Sequence, residues 1–385
     1  MNCVLRLIAA SAFVLGLASA PALAQIKIGV VISMTGAAAT LGLPQKNAVE
    51  LMPKSIGGKS VEYIVLDDAS DPTNARKLVE RLVTEDKVDL LMGPSISPSS
   101  LAVIEVAARS KTPLISFAAA RAIIQPMDDT RRWIYKTVIN DDIFARVTAE
   151  HMKKSGIKRV AVIGFNDAYG ESWSTAFNEG AKAAKLEIVA AEKFNRNDTS
   201  VTAQILKIVS AKPDAVLIIA SGTPGVLPQA TLNERGFKGK IYQTTGVTTN
   251  DFIRVGGKNV ERTIIASGPL IVAHQLPDSN RAKKAAVEFA DAYNAAYGAN
   301  SISAFPGFAW DGILIAQAGL TAALTKAQPG TAEFRQALND AIENGKDIVT
   351  TSGLVTMRPQ DHSGFIPDSL VLIEVKNGKW TYLSN

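Results

Sequence analysis

Short β-branched runs alternate with helix-length segments along this chain, and that alternation restricts the fold more than any other feature. Ile26–Ile32, Val61–Leu66, Val88–Met92 and Pro113–Phe117 are runs of strand length dominated by apolar and β-branched residues, the pattern of strands of a buried parallel sheet. Between them lie Leu41–Lys54, a segment from Asp71-Pro72 to Thr84, and Leu101–Arg109. Asp71 before Pro72 is an N-cap acid preceding an N1 proline, and Ser97 or Ser99 is placed to cap the third helix. A βαβαβαβ order implies a parallel doubly wound sheet with right-handed crossovers. After a strand at Trp133–Thr137 and a helix at Asp142–Lys154, the alternation restarts at Arg159. Strands at Val160–Phe165, Glu187–Lys193, Ala215–Ala220 and Lys240–Gln243 then enclose helices at Tyr169–Lys185, Val201–Ser210 and Pro224–Arg235. Beyond Ser267-Gly268-Pro269 the style turns helical, with Arg281–Tyr297, Phe308–Thr325 and Ala332–Asn344. Leu370–Val375 and Trp380–Leu383 close the chain as a hairpin turned by Asn377-Gly378.

At 385 residues the chain suits two domains. Its 47% hydrophobic and 20% charged residues describe a globular protein. The first 24 residues differ from the rest: one charge, Arg6, an apolar run Leu7–Ala18, and Ala22-Leu23-Ala24 as an A-x-A cleavage site. That run is short for a bilayer span, and no later segment reads as long and apolar enough, so the expectation is a secreted, soluble protein. The only cysteine, Cys3, falls within this leader, leaving a mature chain without disulfide or thiol chemistry. Without Arg6 the 41 basic residues become 40 against 36 acids, too mild a balance to suggest nucleic acid.

The stretch Val88–Arg121 concentrates the functional signal. Gly93-Pro94-Ser95 ends one strand and Ala118-Ala119-Ala120 the next, so backbone N–H groups, hydroxyls and a helix start share one sheet edge. Ligands bind at the carboxyl edge of open α/β sheets, and a helix N-terminus favours an anion. The expectation is a small carboxylate held here, with the rest of the chain closing over it.

Catalytic and metal constellations are scarce. Gly58-Lys59-Ser60 lacks the upstream glycine of a phosphate loop, Pro53 standing there. Gly170-Glu171-Ser172-Trp173-Ser174 departs from a nucleophile elbow at its last position. His151, His274 and His362 have no metal-ligand partner at helical spacing. Asp67, Asp68 and Asp71 lack the glycine and terminal glutamate of a calcium loop. No enzyme, metal or cofactor is expected.

IKIGVVISMTGAAATLG, VEYIVLDDASDPTNARKLVERLV, LLMGPSISPSS, PLISFAAA, VIGFNDAYGES, ADAYNAAYG and FAWDGILIAQAGL resemble, in order, the periplasmic Leu/Ile/Val-binding proteins of ABC importers. The resemblance covers the mature chain. It implies a class I periplasmic-binding-protein, or Venus-flytrap, architecture: α/β, two doubly wound parallel-sheet lobes joined by a three-crossover hinge. Residues 25–139 plus 269–354 would form the N-lobe, and 140–268 plus 355–385 the C-lobe. Val138–Asn140, Ala266–Leu270 and Gly353–Met357 are the candidate crossings. It further implies a periplasmic monomer that binds one small solute and presents its closed form to ABC transporter permease subunits in the inner membrane. A ligand-sensing subunit on the same fold is an alternative.

Carried over residue by residue, the resemblance implies that Ser97 donates its hydroxyl to a ligand carboxylate and that Ala118 offers backbone. Ala120 stands where many members have threonine, keeping an N–H without the hydroxyl, and Tyr169 falls on the tyrosine laid over the ligand. Thr245 occupies the place of the acid that holds an α-ammonium in amino-acid binders, while Leu41 and Ser221 replace aromatics. Losing that acid forfeits a charge-assisted hydrogen bond of about 1.5–3 kcal/mol, and a buried unpaired ammonium costs more. The expected ligand is therefore a carboxylate with an apolar or aromatic body, ahead of a branched-chain or other hydrophobic amino acid. Arg121, directly after the alanine turn, could pair with an acid or lie on the surface.

Overall fold

The computed structural model describes residues 25–366 and 369–383; the expected leader lies outside them. The first half opens with β1 (Ile26–Ile32), α1 (Ala39–Leu51), β2 (Ser55–Ile56), β3 (Lys59–Asp67) and α2 (Pro72–Thr84). It continues with β4 (Leu90–Met92), α3 (Ser97–Arg109), β5 (Leu114–Ser116) and β6 (Ile134–Lys136). These strands form a six-stranded sheet in the order β2-β3-β1-β4-β5-β6, parallel except for the β2–β3 hairpin. The hairpin turns on Gly57-Gly58, both at positive φ, so the glycine-lysine-serine run is a turn entering β3 and not a phosphate loop. Asp71 Oδ1 accepts the Asn74 N–H at 2.7 Å, as its cap position requires.

The chain then enters α4 (Asp141–Lys154), β7 (Arg159–Phe165), α5 (Ala168–Ala184), β8 (Glu187–Phe194), α6 (Thr202–Ser210) and β9 (Ala215–Ile219). α7 (Val226–Glu234), β10 (Lys240–Gln243), α8 (Asn250–Gly256) and β11 (Ile264–Ser267) complete that run. The helices α9 (Lys283–Tyr297), α10 (Ala304–Leu324) and α11 (Ala332–Glu343) follow, then a short pair β12 (Ile348–Val349) and β13 (Leu354–Val355), and last β14 (Val371–Lys376) and β15 (Lys379–Leu383). The second sheet has seven strands in the order β15-β14-β11-β10-β9-β7-β8, with β14 and β15 antiparallel. Asn377 and Gly378 both take positive φ in the closing turn. Two α/β lobes thus stand as the alternation implied. Sequence reading missed the two-residue strands β2, β12 and β13 and also β11, whose four residues, IIAS, run into the second crossing and lack an apolar run of clear strand length.

α9, α10 and α11 return to the first lobe. The hydroxyls of Tyr293 and Tyr297 bond to α1 and its Asn47 carbonyl, and Tyr135 of β6 donates to the Asn339 carbonyl of α11. α10 corrects one expectation, because it is long and apolar enough to cross a membrane. Most of it is buried against α1 and α11, as suits the core helix of a lobe. Asp311, in the middle of α10, accepts Thr351 N–H at 2.7 Å and Ser352 N–H at 3.1 Å. This buried carboxyl, pushed up to about 6 by desolvation, fastens the third crossing to the first lobe.

Candidate functional site: the cavity between the lobes

The carboxyl ends of strands from both sheets meet around a narrow cavity of about 30 Å³. From the first lobe it is lined by Leu41 of α1, Ser95–Ser97 at the start of α3, Phe117–Ala119 after β5, and Phe305 and Phe308 of α10. Val138 of the first crossing forms the floor, and Tyr169, Arg196, Ser221 and Thr245-Gly246 close it from the second lobe. Gly93 makes the first wall possible: at φ +86° its backbone packs against β1, and a Cβ there would lie 2.0 Å from the Val31 carbonyl.

The first-lobe wall presents donors and small side chains. Sequence reading offered Ser97 as a helix cap, but α3 begins at Ser97 with Ile96 as its N-cap and no side-chain cap bond. The Ser97 hydroxyl instead accepts the Ala120 N–H at 3.2 Å, leaving its proton to donate. Ala118 N–H is taken by the Ser116 hydroxyl at 3.1 Å. Between these two committed amides, the Ala119 N–H has no hydrogen-bond partner among the described residues and borders the cavity. Ser95 is committed elsewhere, donating to Gln45 and accepting from Ser33 N–H.

The second-lobe wall is built on Asp167. Its Oδ1 accepts the N–H groups of Tyr169 and Gly170, capping α5, while Oδ2 accepts Arg196 Nε at 2.6 Å. One carboxylate therefore positions both cavity residues. Arg196 Nη1 donates to the Ser221 hydroxyl at 2.7 Å, and its guanidinium lies 4.3 Å from the Phe165 ring centroid. Its Nη2 is left without a partner among the described residues. The Tyr169 hydroxyl donates to Thr244 Oγ1 at 2.7 Å, and burial holds its phenol far above the ordinary range, so a neutral ring faces the cavity. The buried Thr245 hydroxyl has no partner among the described residues.

Of the sequence-derived candidates, Leu41, Ser97, Ala118, Tyr169, Ser221 and Thr245 border the cavity together. Ala120 is buried behind it, its amide spent on Ser97. Arg121 lies outside, exposed, with Nε on Gln125. Sequence reading took Ala119 in only as part of the Ala118–Ala120 turn, and did not single out Arg196 or the rings of Phe117, Phe305 and Phe308. Arg196 follows β8 in a polar Asn-Arg-Asn-Asp run indistinguishable from a solvated loop; only folding brings Asp167 beside it. Among the described residues no histidine, cysteine or acid cluster could hold a metal.

The model of the family described as periplasmic binding protein matches residues 25–379. The chain belongs to that family. Its members are non-enzymatic receptors, and this chain is a solute-binding receptor of the ABC-import type, with a permease partner implied by the family. It is 27% identical over 351 residues to the Leu/Ile/Val-binding protein BraC3 of Rhizobium johnstonii, covering 89% of this chain and 90% of that one. An extracellular ligand-binding receptor from Rhodopseudomonas palustris HaA2 superposes with a TM-score of 0.91 at 45% identity, over 94% of this chain and all of its own. A solute-binding protein from Rhodopseudomonas palustris BisB5, solved with 3,4-dihydroxybenzoic acid, shares the fold at a TM-score of 0.77 and 24% identity, covering 93% and 95% of the two chains.

Proposed function

We propose that this receptor binds a small carboxylate with an aromatic or apolar body, closes over it and delivers it to a permease. The observation that carries the reading is the set of charged groups in the cavity: Arg196, paired behind the wall with Asp167, is the charged side chain that lines it, and among the described residues no carboxylate lines it. An ammonium would meet the unionised Thr245 hydroxyl where an acid is needed, and would lie close to a guanidinium. An acid gains the Ser97 hydroxyl, the Ala119 amide and Arg196 Nη2, while Phe117, Tyr169, Phe305 and Phe308 supply ring faces for an aromatic body. The dihydroxybenzoate in the BisB5 protein supports such a ligand on this fold. Closure follows by population shift, since a ligand touching both walls favours the closed form.

The name of the Rhizobium relative favours a second reading, a branched-chain amino-acid receptor. A thermal-shift screen separates the two, because a ligand far above its Kd raises stability by several kcal/mol. Stabilisation by 3-phenylpropanoate or 3,4-dihydroxybenzoate, without response to leucine, isoleucine or valine, is expected. A response to leucine alone would overturn the acid reading.

A further inference from the structure

Lys136 and Asp141 are fully buried on either side of the first crossing, and neither lines the cavity. Lys136 Nζ donates to the carbonyl of Ala119, in the turn that forms the first-lobe wall. Asp141 Oδ2 accepts the Ser172 hydroxyl proton at 2.5 Å. Ser172 Oγ in turn accepts the N–H of Arg121 at 3.1 Å. Ser172 belongs to α5 of the second lobe and Arg121 to the first, so that bond crosses the cleft. The ligand turn is therefore held at Ala119 by Lys136 and at Arg121 by Ser172, whose hydroxyl is held in turn by Asp141.

The serine's role follows from hydrogen-bond chemistry. The Ser172 hydroxyl gives its one proton to Asp141 Oδ2 and leaves a lone pair for Arg121 N–H. When the lobes part, Arg121 N–H and Ser172 exchange each other for water, and the gain on closure is that of one hydrogen bond. Arg121, Asp141 and Ser172 do not line the cavity, yet the turn they hold carries Ala119, which does.

We propose that Ser172 is a closure latch: a positioning residue that favours the closed cleft by joining Arg121 of the first lobe to Asp141 at the root of the second. The proposal rests on the reading of the chain as a receptor whose cleft opens and closes. Removing the hydroxyl should lower the closed-to-open ratio about fivefold, the worth of one net hydrogen bond. It should do so by the same factor for every ligand, since selectivity lies on other residues.

The test uses the chain from Gln25 onward, which has no cysteine. Arg76→Cys on α2 and Lys207→Cys on α6 carry spin labels, and pulsed dipolar spectroscopy reads the interlobe distance with 3-phenylpropanoate, 3,4-dihydroxybenzoate or leucine as probe. For each probe that closes the parent cleft, S172A should lower the closed population and speed dissociation about fivefold, and S172T should restore both. An unchanged closed fraction and dissociation rate in S172A would overturn the latch, as would failure of folded S172T to restore them. If S172A melts well below the parent, D141N weakens the same bond from its other end and is read by the same criteria. A cleft that stays open with all three probes overturns the latch and the receptor reading together. Closure by leucine alone overturns only the acid preference.

Discussion

The two walls of the cavity offer a ligand different groups. The polar part of the first-lobe wall is backbone and a small hydroxyl, the Ala119 amide and Ser97, held by Ser116, Ala120 and Lys136 and set among Leu41 and the rings of Phe117, Phe305 and Phe308. The second-lobe wall is side chain: Arg196 on Asp167 and Ser221, the Tyr169 ring, and the uncommitted Thr245 hydroxyl. Amides in a turn fit any carboxylate and change little when side chains are substituted. A guanidinium at the end of a long side chain is selective, and depends on each partner that holds it. On the proposed reading, Ser97 and the Ala119 amide hold any carboxylate from the first wall, Arg196 adds a charged contact from the second, and the rings of Phe117, Phe305, Phe308 and Tyr169 bear on the body that distinguishes one acid from another.

The sharpest way to break this contrast is at Arg196. R196M should weaken binding of 3-phenylpropanoate about 10- to 100-fold by calorimetry, from the loss of a charged hydrogen bond of about 1.5–3 kcal/mol, whereas R196K should fall between. An R196M that binds as the parent does would move recognition wholly to the first wall. A smaller and more uniform loss is expected for S97A. Removing one neutral donor costs about 0.5–1.5 kcal/mol, so every acid should lose about three- to tenfold without any change in their ranking. A ranking that changes would mean that Ser97 also discriminates.

The smallest effect concerns the frame both walls share. Desolvation raises the Asp311 carboxyl to about 6 and the Asp141 carboxyl to about 7. A carboxyl whose folded pKa lies above its unfolded value near 4 binds more protons when folded between those pH values. Stability from these groups is thus greatest at low pH and declines as pH rises through the window from about 4 to 7. Melting of the ligand-free protein should rise by about 1–3 °C between pH 7.5 and 5.5, and D311N should flatten that slope. A Tm that falls over this interval would show that other groups dominate.

Much of the fold was legible because buried strands are dominated by apolar and β-branched residues and helix starts carry caps such as Asp71-Pro72. The short β11 was lost because it merges with a crossing. The leader-like residues lie outside what the structure describes. Within the site, the first wall was legible in outline, since turns after parallel strands can be placed from sequence. Which of three alanine amides stays free could not be, because Ser116 and Ser97 decide it through hydrogen bonds made only in the folded turn. Arg196 was silent for a related reason. Its neighbours in sequence are polar and exposed, and the groups that make it a recognition residue, Asp167 and Ser221, lie 29 and 25 positions away.

Asp167 carries a further consequence. Because it already neutralises Arg196, an arriving anion does not meet a bare cation but joins a pair, and the local charge becomes that of one guanidinium shared by two carboxylates. Sharing weakens the hold on each. A receptor that shuttles cargo gains from that moderation, since whatever grips too firmly in the cleft must be pulled away again at the membrane. Relieving the competition with D167N should slow release of the ligand more than it speeds capture, turning a carrier into a sink.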